Sequence, residues 1–186
     1  MKKIGIMSCM LFAIAISAQA QNKPATSVKK EVYQATATKT HDLVHTELDA
    51  SFDFNNAWLL GKVKLTLHPH HYPTSNLVLD AKGMDVKEVA IVKNGKNTPL
   101  KFTNDGMTLN VQLDKNYVKN ENYTVFISYT AKPNDYKGTG SAAITDAKGL
   151  YFINPTGTDK NKPTQVWTQG ETEGTSVWVP TIDKPN

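Results

Sequence analysis

The chain is predicted to be all-β, an antiparallel meander or sandwich, on three observations. From His41 onward apolar and polar residues alternate with a period of two, and Asn-Gly and Asp-Gly pairs separate the alternating runs. Between His41 and Tyr129 no segment carries the apolar spacing of an amphipathic helix.

The first run, His41 to Phe54, sets Val44, Thr46, Leu48, Ala50, Phe52 and Phe54 on one face, with Glu47, Asp49, Ser51 and Asp53 on the other. That is a long, half-buried strand. Asn55-Asn56 supplies a turn, and Leu59 to Leu67 alternates again, so the two runs pair antiparallel. Further strands are expected at Leu77 to Asp80, Val86 to Val92, Leu100 to Phe102, Met107 to Leu113 and Tyr123 to Tyr129. The turns between them fall at Lys82-Gly83, Asn94-Gly95, Asn104-Asp105-Gly106 and Asn116 to Asn122. Beyond Tyr129 the pattern loosens. Gly149 to Ile153 is a short strand, residues 154–163 are loop by composition, and strand-like residues resume at Gln165-Val166-Trp167.

The N-terminus has Lys2 and Lys3, an apolar run from Ile4 to Ile16, and small residues in Ser17-Ala18-Gln19-Ala20. This pattern predicts a signal peptide over 1–20, cleaved before Gln21, and a secreted, periplasmic protein. The run is shorter than the ~20 apolar residues of a membrane span. The single Cys9 lies inside it, so the mature chain has no cysteine and must rest on an ordinary core. Residues 21–40, rich in Lys, Thr, Ala and Gln, read as a flexible leader, and 41–186 as one domain. A domain of that size buries roughly two-thirds of the surface its unfolded chain exposes. All 21 basic residues are lysine, and losing Lys2 and Lys3 reduces the formal charge from +4 to +2. The lysines are dispersed among carboxylates and asparagines and offer no bidentate phosphate fork, which excludes a nucleic-acid partner.

Two histidine groups invite a metal reading. His41 and His45 have the spacing of a zinc-binding helix, but that spacing serves only a helix, and here the period is two. On a strand they share the more polar face with Glu47. His68-Pro69-His70-His71 clusters three imidazoles in a connection, yet no carboxylate is adjacent in sequence to complete a site, so it reads as an exposed loop. No metal ligand is assigned in this chain. Gln169, Glu171 and Glu173 stand at alternate positions near the C-terminus, ahead of an apolar run; on a strand they would form one acidic shelf.

Thr168-Gln169-Gly170-Glu171, followed by Trp178-Val179-Pro180-Thr181-Ile182-Asp183-Lys184-Pro185, resembles the hallmark of the aminopeptidase N family of zinc metallopeptidases, the gluzincin exopeptidases. The upstream runs at 48–54, 61–67, 77–81 and 123–129 are similar to successive strands of that family's N-terminal, saddle-like β domain. The resemblance covers about His41 to Asn186. It implies that Glu171 holds the protonated α-amine of a peptide substrate and that Gln169 lines the pocket for the first side chain. It also implies a zinc site and catalytic residues in a catalytic domain that would lie downstream of Asn186, so this chain is expected to bind no zinc and to be inert alone. Where many members carry Arg before the aromatic-Pro block, Thr175 and Ser176 stand here. Severed from its catalytic partner, the domain is expected to strand Val177, Trp178, Val179 and Ile182 at its surface. A competing expectation, from the strand pattern without the resemblance, is a non-catalytic periplasmic β-sandwich that binds a ligand or protein.

Overall fold

The computed structural model describes residues 38–138 and 146–184, all within the unit Ala35–Asn186. The expected signal peptide and most of the leader lie outside the described residues. Among the described residues ten strands form, in order β1 (His41–Asp53), β2 (Trp58–Pro69), β3 (Thr74–Asp80), β4 (Met84–Lys93), β5 (Lys96–Pro99), β6 (Lys101–Asn104), β7 (Thr108–Tyr117), β8 (Tyr123–Ala131), β9 (Leu150–Ile153) and β10 (Gln165–Thr168). They build a five-stranded sheet in the order β1-β2-β8-β4-β5, a three-stranded sheet β3-β7-β6 and a ribbon of β9 and β10, with every pairing antiparallel. The all-β prediction holds. Among the described residues no helix is long and apolar enough to cross a membrane.

The core follows from the alternation. On β2, Leu59, Val63, Leu65 and Leu67 are buried while Leu60, Lys62 and Lys64 are exposed. Buried residues of the large sheet pack with Leu77 and Leu79 of β3 and Leu109 and Val111 of β7 into one cluster. Each fully buried Leu or Val contributes about 1.5–3 kcal/mol. Asn94-Gly95 forms the β4–β5 hairpin, with φ of 49° and 74°, the left-handed pair that a two-residue turn requires. β5 was not among the expected strands. Its residues are polar, all exposed and closed by Pro99, and only its pairing with β4 makes it a strand.

The first strand departs from its predicted face. A register shift lies between Leu43 and His45, so the extra residue reverses the phase of the alternation. Thr46, Leu48, Ala50 and Phe52 lie opposite Leu65, Val63, Gly61 and Leu59, with Leu48 and Ala50 half-buried and Thr46 and Phe52 exposed, and Val44 is exposed as well. The same bulge corrects the expectation for His41. It does not share a polar face with His45 but is buried, its Nδ1 on the Thr40 hydroxyl (3.1 Å) and its ring edge-on to Tyr123.

His41 gives the fold a pH dependence. Burial pulls its pKa down, with His68 adding to the effect and Asp42 opposing it. Such an imidazole binds its proton more tightly when unfolded, so stability falls as pH drops below about 6.5, by at most ~1.4 kcal/mol per pH unit from this group. Urea melts between pH 7 and 5 should show that loss, and His41→Phe should flatten it. An unchanged slope in the variant would assign the effect to other groups.

Candidate functional site

β9 and β10 pair with Trp167 opposite Tyr151 and Thr168 opposite Leu150, and the ladder runs one residue further, where Gln169 N–H donates to Gly149 O (2.9 Å). Beyond that the strand stops. Gly174 N–H donates to Gly170 O (2.9 Å), closing a turn over residues 170–174, within which the Glu171–Thr172 peptide is cis. The acidic shelf expected from alternate spacing therefore does not form. Alternate residues share a side only on an extended chain, and this turn separates them. Gln169 and Glu171 are exposed, whereas Glu173 turns back toward the body of the domain.

Gln169 and Glu171 remain together at the front of the turn. The Gln169 side-chain carbonyl accepts the Glu171 N–H (3.2 Å), which couples the two residues directly. Beside them Tyr151 and Trp167 stack with ring centroids 4.4 Å apart, and Trp167 stays partly in solvent.

The back of the turn is fixed by the segment that follows. Thr175–Val177 makes a single 3-10 turn, with Val177 N–H on Gly174 O and Trp178 N–H on Thr175 O. Thr181 then joins the end of β3, exchanging backbone bonds with Asp80 at 2.8 and 3.0 Å. The Asp80 carboxylate accepts Asp183 N–H (3.0 Å), and the Asp183 carboxylate accepts Ser176 N–H (2.8 Å). Burial raises the pKa of Asp183, although the Ser176 N–H and the Lys82 charge oppose the shift. The Asp of the terminal motif is thus a brace within this domain, tying the 3-10 turn to β3.

Val177 and Val179 are buried, and Trp178 and Ile182 pack against the core. The expectation that these four are stranded at the surface is wrong. Tyr129 OH donates to Trp178 O (3.0 Å), so the large sheet holds this segment from beneath. Ser176 is fully buried, and its hydroxyl donates to Glu173 O (3.0 Å). The cation near it comes from elsewhere: Lys82 Nζ lies 3.0 Å from Glu173 Oε2, and Lys184 reaches the same oxygen at 3.0 Å. Burial alone would raise the Glu173 carboxyl, but Lys184 and Lys82 together hold it below its usual value. From sequence, Lys82-Gly83 signals only a turn, and the acidic residue it meets lies 91 positions on.

At the histidine connection the fold supplies a carboxylate that sequence adjacency does not. Asp42 on β1 lies beside β2, with His70 Nδ1 at 2.6 Å and His68 Nδ1 at 3.7 Å from its Oδ2, and Lys39 at 2.9 Å from Oδ1. Burial works against ionisation of Asp42, but bonds from Lys39 and His70 hold it down at about 2. Among the described residues no group of three or more His, Cys, Asp or Glu is arranged to hold a metal ion.

Two packed antiparallel sheets, with an outward Gln-x-Glu turn braced against β3, make up an all-β domain. The chain belongs to the Peptidase M1 N-terminal domain family, whose family model matches residues 29–186. Among solved structures it is similar to the M1 zinc metallopeptidase of Deinococcus radiodurans, at 21% identity and a TM-score of 0.62, over 83% of this chain and 32% of that one. A two-domain M1 zinc metallopeptidase bound to L-arginine gives 20% identity and a TM-score of 0.63, with 83% and 32% covered. Yeast LTA4 hydrolase in complex with bestatin gives 24% and 0.55, with 84% and 23% covered. The chain thus spans about a third or less of these relatives. No curated protein matches it.

Proposed function

We propose that the chain is the N-terminal domain of a secreted zinc metalloaminopeptidase, in which Glu171 receives the α-amine of a peptide and Gln169 lines the pocket for its first side chain. The observation that supports this is the turn over residues 170–174, which shows these two side chains outward from a base fastened to β3. A peptide N-terminus is the one cationic group of the main chain, so a carboxylate held at a fixed position makes an enzyme measure from the chain end. At 4 Å and an effective dielectric near 20, such a pair attracts by roughly 4 kcal/mol before desolvation. The Gln169 side chain holds the main chain of Glu171 through its N–H. Zinc, which would activate water for attack on the peptide bond, belongs in this reading to the remainder of the enzyme. No described cluster of this chain fits the ion. The pattern in residues 1–20 supports export.

The test is Glu171→Gln in the full-length product of the reading frame that encodes this chain. The expected result is a KM for a free-amine aminoacyl anilide raised roughly 10- to 100-fold, the range of a hydrogen bond to a charged group. Hydrolysis of the N-acetylated analogue should not fall with it. Equal loss on both substrates, or no loss, would refute amine recognition at Glu171.

The burial of Val177 and Val179 within the domain favours a second reading, a self-contained periplasmic binding module without catalysis. The coding sequence after Asn186 separates the two: a continuous frame containing His-Glu-x-x-His supports the enzyme, and a stop codon the module.

A further inference from the structure

The turn that carries Glu171 is fastened from behind by a charge cluster that amine recognition does not itself use. Lys82 follows β3, and its side chain is only 11% exposed. Its backbone N–H donates to Ser176 O (2.8 Å), while Nζ donates to Glu173 O (3.1 Å) and to Glu173 Oε2 (3.0 Å). One residue thus meets the carbonyl and the carboxylate of Glu173 in the turn and, by its main chain, Ser176 just beyond it. An ammonium so far removed from water is tolerated only while it stays paired, so the arrangement acts as a latch with one closed state. Lys184 shares the same Glu173 oxygen but is much more exposed, and it lies on the terminal segment rather than beside the end of β3. Of the two lysines on Glu173, Lys82 is the one beside the end of β3. Glu173 stands two residues from Glu171, inside the turn closed by Gly174 N–H on Gly170 O (2.9 Å), so a displacement of Glu173 passes to Glu171 through two peptide units.

We infer that Lys82 is a positioning residue: acting through Glu173, it holds the turn over residues 170–174 in the form that displays Glu171, and so sets how firmly the peptide amine is gripped. This rests on the reading of Glu171 as the amine-binding group. The ammonium is a compact charge whose three donors meet two Glu173 oxygens from one side, a task for which Lys82→Arg keeps charge and donors and Lys82→Met keeps only the apolar stem.

The experiment compares Lys82→Met, Lys82→Arg and Glu173→Gln, each with and without Glu171→Gln, in the full-length product. The readouts are kcat and KM on a free-amine and an N-acetylated aminoacyl anilide. Lys82→Met should raise the free-amine KM about 5- to 20-fold with little change in kcat, and Lys82→Arg should recover most of it. In the Glu171→Gln background Lys82→Met should add almost nothing, because both changes remove one interaction. Glu173→Gln reports on the same link should Lys82→Met fail to fold. If Glu171→Gln lowers affinity but neither Lys82→Met nor Glu173→Gln does, the positioning role falls and amine recognition stands. The role also falls if the Lys82 effect adds in full to that of Glu171→Gln. If Glu171→Gln is silent, both readings fall together.

Discussion

Gly149→Ala is expected to detach the turn over residues 170–174 from its ribbon and to cost about 2–5 kcal/mol of stability. Two costs combine. Gly149 sits at φ +71°, which an alanine adopts at roughly 1–2 kcal/mol. A Cβ there would stand 1.8 Å from Gly174 O and 3.0 Å from Trp178 Cδ1. The first contact is with backbone, so no rotamer relieves it, and overpacking of this kind costs typically 1–3 kcal/mol. Moving Gly174 away breaks its bond to Gly170 and loosens the Gly149 carbonyl from Gln169 N–H. Urea unfolding should give the stability loss, and Trp178, now packed against the core, should report a red-shifted emission. A variant of wild-type stability and emission would show that the ribbon and turn are not in contact as described.

Gly61→Ala should cost about 2–4 kcal/mol by a different route, overpacking plus one lost hydrogen bond. Gly61 lies opposite Tyr129 on β8, and a Cβ on it would fall 2.3–2.5 Å from the Tyr129 ring and hydroxyl. The ring is buried and its hydroxyl is bound to Trp178 O, so it cannot swing aside without losing packing and a hydrogen bond. Tyr129→Phe alone removes only the bond and should cost about 1–2 kcal/mol. The double variant should be less destabilised than the sum, since the bond is lost once. Strict additivity in that cycle would rule out contact between the two residues.

How much was legible in the sequence varies by residue. The strands of the core were, because Leu59, Val63, Leu65 and Leu67 repeat at the period of a pleated chain, and burial follows that period directly. β5 was not: Lys96-Asn97-Thr98-Pro99 has no strand signal of its own and is strand only because β4 offers an edge. Val44 was placed on the wrong face because a bulge changes the count between two residues without changing their identity. Gln169 and Glu171 were found by motif, but their spacing suggested a shelf. Gly170 and Gly174 could have warned of a turn: a Cβ at Gly170 would meet Thr175 Oγ1 at 2.9 Å, and one at Gly174 would meet Gln169 O at 2.7 Å.

The sequence by itself determined the all-β class, the family and the pair of residues offered for amine recognition, because each is written in local order: a period of two, a turn pair, a motif with fixed spacing. Only the tertiary structure decided how that pair is held. Lys82 meets Glu173, Tyr129 reaches Trp178, and Asp80 joins Asp183 across 91, 49 and 103 residues. Periodicity states which face a residue takes but not which residue it meets, since the meeting depends on strand order and register. Those are settled by burying one common core, and the grip on Glu171 is a consequence of that packing.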